Sequence, residues 1–174
     1  MSSPAAKLSV LVGKDRACVK VAGRANFMFS PDFKALLAGL NEKGYKRFLI
    51  DLSECALMDS TLLGILAGFG LKMTQGASSN RRSVELLNPN SRIADLLENL
   101  GALHLFKVTN CAPAMPEGVQ AQAPASVNPT REQITRTCLE AHQSLMAMNP
   151  DNVARFKDVT RFLAEDLKNL EKRS

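Results

Sequence analysis

The stretch from Phe48 to Met73, FLIDLSECALMDSTLLGILAGFGLKM, most limits what this chain can become. Phe48, Leu49, Ile50 and Leu52 form a short run that is apolar on both faces apart from Asp51, the pattern of a strand covered on two sides inside an α/β sheet. From Thr61 onward, Leu62, Leu63, Ile65, Leu66, Phe69 and Met73 are too dense for a surface helix, so a buried helix is expected. Between the two runs lies a polar corner, Met58-Asp59-Ser60-Thr61. Ser60 has the side chain wanted at a helix N-cap, and Asp59 sets a carboxylate beside the positive end of the helix dipole. The same position suits a phosphate, because a helix N-terminus offers unpaired N–H donors and tolerates added negative charge.

The rest of the chain reads as alternating elements around this piece. Leu8 to Val12 and Ala17 to Ala22 are β-prone runs about Gly13-Lys14-Asp15-Arg16, a hairpin signal, and Gly23-Arg24-Ala25-Asn26 is expected to end the second strand. Ser30-Pro31-Asp32 supplies an N-cap, a proline for the first turn and an early acid, which predicts a helix to Gly44. A third strand spans Lys46 to Leu52 and a fourth Ser83 to Leu87. Asn88-Pro89-Asn90-Ser91 caps a helix carrying Ile93, Leu96, Leu97 and Leu100, and Leu105 to Val108 is the last strand. The order ββαβαβαβ implies an initial hairpin followed by right-handed crossovers, hence a mixed, mostly parallel sheet in an α/β fold.

Residues 1–110 thus read as one domain. Cys111 to Pro129 is rich in Pro, Ala and Gln without a period and reads as a linker. Residues 130–174 form a helical hairpin appendage. Thr130-x-x-Gln133 matches a capping box ahead of Ile134, Cys138, Ala141, Leu145 and Met148, and Asn149-Pro150-Asp151 restarts the chain before Val153, Phe156, Thr160, Leu163, Leu167 and Leu170. Two apolar stripes need cover, either from the sheet domain or across a homodimer.

Composition narrows the function classes. A chain of 174 residues with 45% hydrophobic and 22% charged residues buries a core without staples. Its net charge of +5 is spread along the chain, with only Arg81-Arg82 and Lys172-Arg173 clustered, and one tyrosine with no tryptophan leaves no stacking platform for nucleic acid. Four cysteines without CxxC spacing and two histidines argue against a metal site and for a reducing compartment. The start, MSSPAAKLSV, lacks the features of a signal peptide, and the apolar stretch Leu62 to Leu71 is too short for a bilayer core of about 30 Å, so a cytoplasmic protein with no membrane partner is expected. No Gly-x-Ser-x-Gly elbow or P-loop occurs, and neither His104 nor His142 is placed by its segment as a base for Ser60. No enzymatic activity and no cofactor is expected.

The loops at the carboxyl ends of the strands are where partners meet an open α/β sheet. The loop after the second strand carries Arg24, Asn26 and Phe29, and the loop after the third carries Cys55, Met58, Asp59 and Ser60. Asp51-Leu52-Ser53, then Met58-Asp59-Ser60-Thr61, then Leu63-Gly64 resembles the signature of STAS domains, the family of bacterial anti-sigma factor antagonists and of the cytoplasmic tails of sulphate transporters. The resemblance covers roughly residues 7 to 110. It departs at Leu62, where many members have glycine, and at Asn26, where the family pattern has an acid.

The resemblance implies a STAS-like fold and a regulatory protein-binding module, an anti-sigma factor antagonist acting in transcription regulation. In that family the serine after the aspartate is phosphorylated by a serine kinase that doubles as an anti-sigma factor, and a phosphatase resets it. By resemblance Ser60 takes the phosphate, with Thr61 a weaker acceptor, and Asn26, Met58, Asp59, Ser60 and Thr61 make the partner-binding surface. Two alternatives stand beside this: a constitutive scaffold or oligomer built on residues 130–174, and a small-ligand or nucleotide module using a pocket between Asn26 and Ser60.

Overall fold

The computed structural model describes residues 6–75, 83–110, 120–122 and 126–173. Their seven strands are β1 (Lys7–Val12), β2 (Arg16–Ala25), β3 (Arg47–Asp51), β4 (Cys55–Met58), β5 (Ser83–Leu87), β6 (Lys107–Thr109) and β7 (Gln120–Gln122). The helices are α1 (Ser30–Glu42), α2 (Ser60–Thr74), α3 (Ser91–Asn99), α4 (Arg131–Met148) and α5 (Asp151–Arg173). The strands make one sheet in the order β6-β5-β3-β2-β1-β7, with β4 beside β2. β1 pairs antiparallel with β2 and β7, whereas β2-β3, β3-β5, β5-β6 and β2-β4 are parallel. This is the mixed, mostly parallel α/β sheet expected from the alternating pattern. The basic pair Arg81-Arg82 and Cys111 lie outside the described residues.

Gly23 bends the second strand and does not end it. Its φ of 82° is one that residues with a side chain rarely adopt, and the register shifts between Gly23 and Arg24. The first half of β2, Arg16 to Lys20, pairs with β3, and the part beyond the bend pairs with β4. The sequence reading had no β4, because four residues with Ala56 exposed carry too little periodicity. It also placed β7 inside a linker. That strand is set by pairing along β1, Val10 to Val12, which its own composition does not reveal.

The helices cover one face of the sheet. Val10, Val19, Val21, Phe48, Ile50, Val84 and Leu86 form a single core with Phe33 and Leu37 of α1 and with Leu62, Leu63, Leu66 and Met73 of α2. Phe48 meets Phe69 edge-on at 4.8 Å. On the other face, among the described residues, Cys18, Leu49 and Leu87 form a small buried strip with Leu11 and no helix residue. Leu49 is 9% exposed there, so both faces of β3 are covered, in keeping with its apolar pattern. Burial there pushes the Cys18 thiol up to about 11, with the nearby Asp51 charge adding to the effect.

The C-terminal hairpin docks on its own chain as a further layer over α1 and α2. Thr130 and Gln133 form the expected capping box, with Gln133 N–H donating to Thr130 Oγ1 and Thr130 N–H to Gln133 Oε1. Leu145 is fully buried in the main core, and Met148 and Phe156 pack against it. Asn152, buried at the hairpin turn, donates to the carbonyls of Leu100 and Leu145 at 2.9 and 2.8 Å, joining the end of α3 to the end of α4. Gly64 of α2 passes so close under Ala141 of α4 that an added Cβ would lie 2.6 Å from the Ala141 carbonyl oxygen. Ahead of α4, Val127 N–H and Ser126 Oγ–H donate to the carboxylate of Asp32 on α1. The approach to the hairpin is thus pinned as well.

Candidate functional site

The carboxyl ends of β2 and β4 lie side by side, because Asp59 N–H continues the ladder by donating to the Ala25 carbonyl at 3.1 Å. That bond holds Asp59 in extended backbone, with ψ of 174°, and so makes Asp59 the N-cap of α2. Its Oδ1 accepts from Leu62 N–H at 3.1 Å and its Oδ2 from Phe27 N–H at 2.7 Å. One carboxylate therefore both starts α2 and fastens the loop after β2 to it. Ser60, expected as the cap, is the first helical residue, which frees its hydroxyl for a partner outside the helix. Ser30 likewise starts α1 without capping it, its hydroxyl donating to the Phe27 carbonyl at 2.6 Å.

The hydroxyl of Ser60 meets His142 of α4, with Oγ 2.9 Å from Nε2. His142 Nδ1 lies 2.7 Å from the Cys138 carbonyl, which can only accept, so Nδ1 carries a hydrogen. In the neutral ring Nε2 is then the acceptor and Ser60 donates. His142 is buried, and its ring stands edge-on to Phe156 at 5.0 Å, which limits its freedom to turn. Nothing in the sequence segments places His142 beside Ser60, and the structure brings the two together. His142 falls four positions after Cys138, on the buried side of α4, but nothing in its spacing reports where α4 lands on α2.

The other expected site residues separate into two groups. Asn26 is exposed, its side-chain oxygen accepting from Met28 N–H at 3.1 Å to start a single 3₁₀ turn, Phe27–Phe29. That turn presents Phe27 at 46% and Met28 at 56% exposure, a pair of large apolar side chains beside Asp59 that the sequence reading passed over. The signal for them was present: two consecutive apolar residues in a loop after a strand have no core to enter. Met58 is 0% exposed in the core, and Thr61 is buried with its hydroxyl donating to Cys138 Sγ at 3.7 Å. Met58 and Thr61 therefore offer no surface to a partner in this arrangement, a correction to the expected binding set.

A groove of about 910 Å³ runs past the exposed turn, bounded by Arg24, Asn26, Met28, Asp32, Leu57 and Ile134. It reaches Asn26, and Ser60 is not among the residues that line it. Cys55 and Cys138 are free, buried thiols, each raised above its ordinary value mainly by burial. Among the described residues no group of His, Cys, Asp or Glu is arranged to hold a metal ion, and no helix is long and apolar enough to cross a membrane.

A family model described as "Mlab, STAS domain" matches residues 10–107. The matched span runs from within β1 to the first residue of β6 and holds α1 to α3, with α4 and α5 beyond it. The anti-sigma factor antagonist SpoIIAA in its unphosphorylated form superposes with a TM-score of 0.50 at 15% identity, over 61% of this chain and 89% of that one. The NMR structure of the protein TM1081 gives 0.50 at 20% identity, over 58% of this chain and 78% of that one. The phosphorylated form of the Bacillus cell fate determinant SpoIIAA gives 0.48 at 15% identity, over 61% and 92%. Comparison with curated protein sequences finds no significant match. At these identities the likeness to solved structures is one of fold.

Proposed function

This chain belongs to the STAS domain family, and on that premise we propose that it is a regulatory protein-binding module, an anti-sigma factor antagonist of the cytoplasm whose state is set by phosphate on Ser60. The observation that supports this reading best is the fastening of the exposed Phe27-Met28 turn to the head of α2 through Asp59. A partner that buries Phe27 and Met28 sits against Asp59 and the Ser60 corner in the same contact. The unphosphorylated module binds an anti-sigma factor that is also a serine kinase, and a phosphatase resets it. Phosphate adds close to two negative charges and three strong acceptors at that edge, so desolvation and repulsion weaken the contact. Each tenfold loss of affinity corresponds to about 1.4 kcal/mol.

The test is intact-mass analysis of the protein purified from its own host, with Ser60→Ala alongside. A phosphate present in the parent and absent from Ser60→Ala supports the reading, and one that survives the substitution moves the site elsewhere. The hydrogen bond from Ser60 to His142 favours a second reading, a constitutive scaffold in which the hydroxyl only helps dock α4. Absence of phosphate under every growth condition, with stable association seen by light scattering, would favour that scaffold.

A further inference from the structure

We propose that α4 and α5 form a latch that must lift from the head of α2 before Ser60 takes a phosphate, and that phosphate on Ser60 then keeps the latch open. The proposal rests on the reading of Ser60 as the phosphorylated residue. In the transfer itself, Ser60 Oγ bonds to the terminal phosphorus of a nucleoside triphosphate held by the kinase. The bond from that phosphorus to the bridging oxygen breaks, the nucleoside diphosphate leaves, and the hydroxyl proton passes to a base on the kinase. In the docked state Oγ lies only 2.9 Å from His142 Nε2.

A phosphorus with three further oxygens does not fit into a gap spanned by one hydrogen bond. His142 has little room to retreat, being held by the Cys138 carbonyl at 2.7 Å and by the Phe156 ring. Nor has α4 slack to sink further onto α2, with the Ala141 backbone already against Gly64. Ser60 is half-buried, and in the rotamer that meets His142 a phosphate and a docked α4 exclude one another. By linkage, whatever favours one disfavours the other to the same extent.

The docking is uneven in a way that suits a latch. At the turn end Leu145 enters the main core, and Asn152 ties the hairpin to the Leu100 carbonyl. Over the first turns the buried residues are Thr135, Thr137, Cys138, Leu139, Ala141 and His142, none of which joins that core. The contacts of this half with α1 and α2 include a weak hydroxyl–thiol bond from Thr61 to Cys138, the Ser60–His142 bond and an exposed Lys34–Glu140 ion pair. Exposed ion pairs contribute little, and the buried apolar residues of this half are Cys138, Leu139 and Ala141. The catch is His142.

The structure offers a lock for testing this. A Cβ built on Gly68 lies 3.9 Å from the Cβ of Ser144, inside the range of about 3.5–4.5 Å that a disulfide spans. Gly68→Cys with Ser144→Cys, in the full chain carrying Cys111→Ser, ties α4 to α2. Ser60→Cys then reports access through its alkylation by N-ethylmaleimide, located by peptide mass. We expect the bond to slow labelling at position 60 roughly tenfold or more against an unbridged Gly68→Ser control, because access requires the open state. Equal rates would overturn the latch while leaving phosphorylation of Ser60 intact.

Hydrogen exchange on the full chain provides a second readout. Ser60→Glu should speed exchange of amides in residues 131–142 roughly tenfold or more relative to Ser60→Ala. The same protection in both would overturn the exclusion between charge and docking. Lock-dependent labelling together with host protein that never carries phosphate would sink the phosphorylation reading and leave α4 as a gate over Ser60.

Discussion

Gly64 and Ala141 bring two helix backbones together: no side chain fits between them, since a Cβ on Gly64 would stand 2.6 Å from the Ala141 carbonyl oxygen. Replacing a mid-helix glycine by alanine ordinarily gains up to about 1 kcal/mol in helix propensity. Here the obstacle is backbone and cannot rotate away. Gly64→Ala is expected to lower stability by about 1–3 kcal/mol through overpacking, read as a lower urea midpoint. Gly68→Ala, which meets only the Ser144 side chain at 3.7 Å, should be neutral or stabilising in the same titration. A Gly64→Ala protein as stable as the parent would mean that α4 docks less closely than described.

Asp59 joins two elements with its two oxygens, so its loss should exceed that of an ordinary cap. Removing an N-cap side chain costs about 0.5–2 kcal/mol, and Asp59→Ala also orphans Phe27 N–H. We expect a total of about 2–3 kcal/mol from the two losses together, with faster hydrogen exchange at residues 26–29. Asp59→Asn retains one acceptor oxygen and should fall between the two. A Tm for Asp59→Ala within error of the parent would show that the strand-end loop holds itself.

Asn152 donates to the Leu100 carbonyl and adds a second donor to the Leu145 carbonyl, which also accepts from Asn149 N–H at 3.2 Å. Asn152→Ala leaves the Leu100 carbonyl without this donor in a buried setting, at about 1–3 kcal/mol before relaxation, while Leu145 keeps its bond from Asn149 N–H. The expected result is a clear fall in Tm with early loss of protection across residues 145–156. Asn152→Asp, which cannot donate when ionised, should be at least as damaging at neutral pH.

Burial raises the Cys18 thiol from 9.0 to about 11, which sets a pH window for stability. The sign follows from proton counts: between these values the unfolded chain has lost the proton that the folded chain keeps, so unfolding becomes easier as pH rises. The contribution is fully present below pH 9.0 and is lost on approaching about 11. Comparing urea midpoints of the parent and Cys18→Ala from pH 8 to pH 10.5, the parent should show the steeper decline. Parallel curves would mean that the thiolate is tolerated in the sheet.

Much of this architecture is written in local signals. The β-prone run Leu8 to Val12, the Thr130-Gln133 capping box, Asn90 accepting from Ile93 N–H, and the dense apolar run of α2 each report their own element. The errors fall where two candidates compete or where pairing partners are distant. Asp59 and Ser60 both suit an N-cap, and the choice is made by the bond from Asp59 N–H to Ala25, which belongs to the sheet. β4 and β7 owe their extension to β2 and β1. The meeting of Ser60 with His142 depends on the crossing of α2 and α4, which Gly64 permits but its neighbours in sequence do not announce.

The pinning of residues 126–128 at Asp32, together with β7 along β1, gives the hairpin a second anchorage besides its turn. A helix released at one face while tethered at both ends stays at high effective concentration, on the millimolar scale expected of short connections. Its return is fast and concentration-independent, so a competitor for the vacated surface faces a rival that dilution never removes.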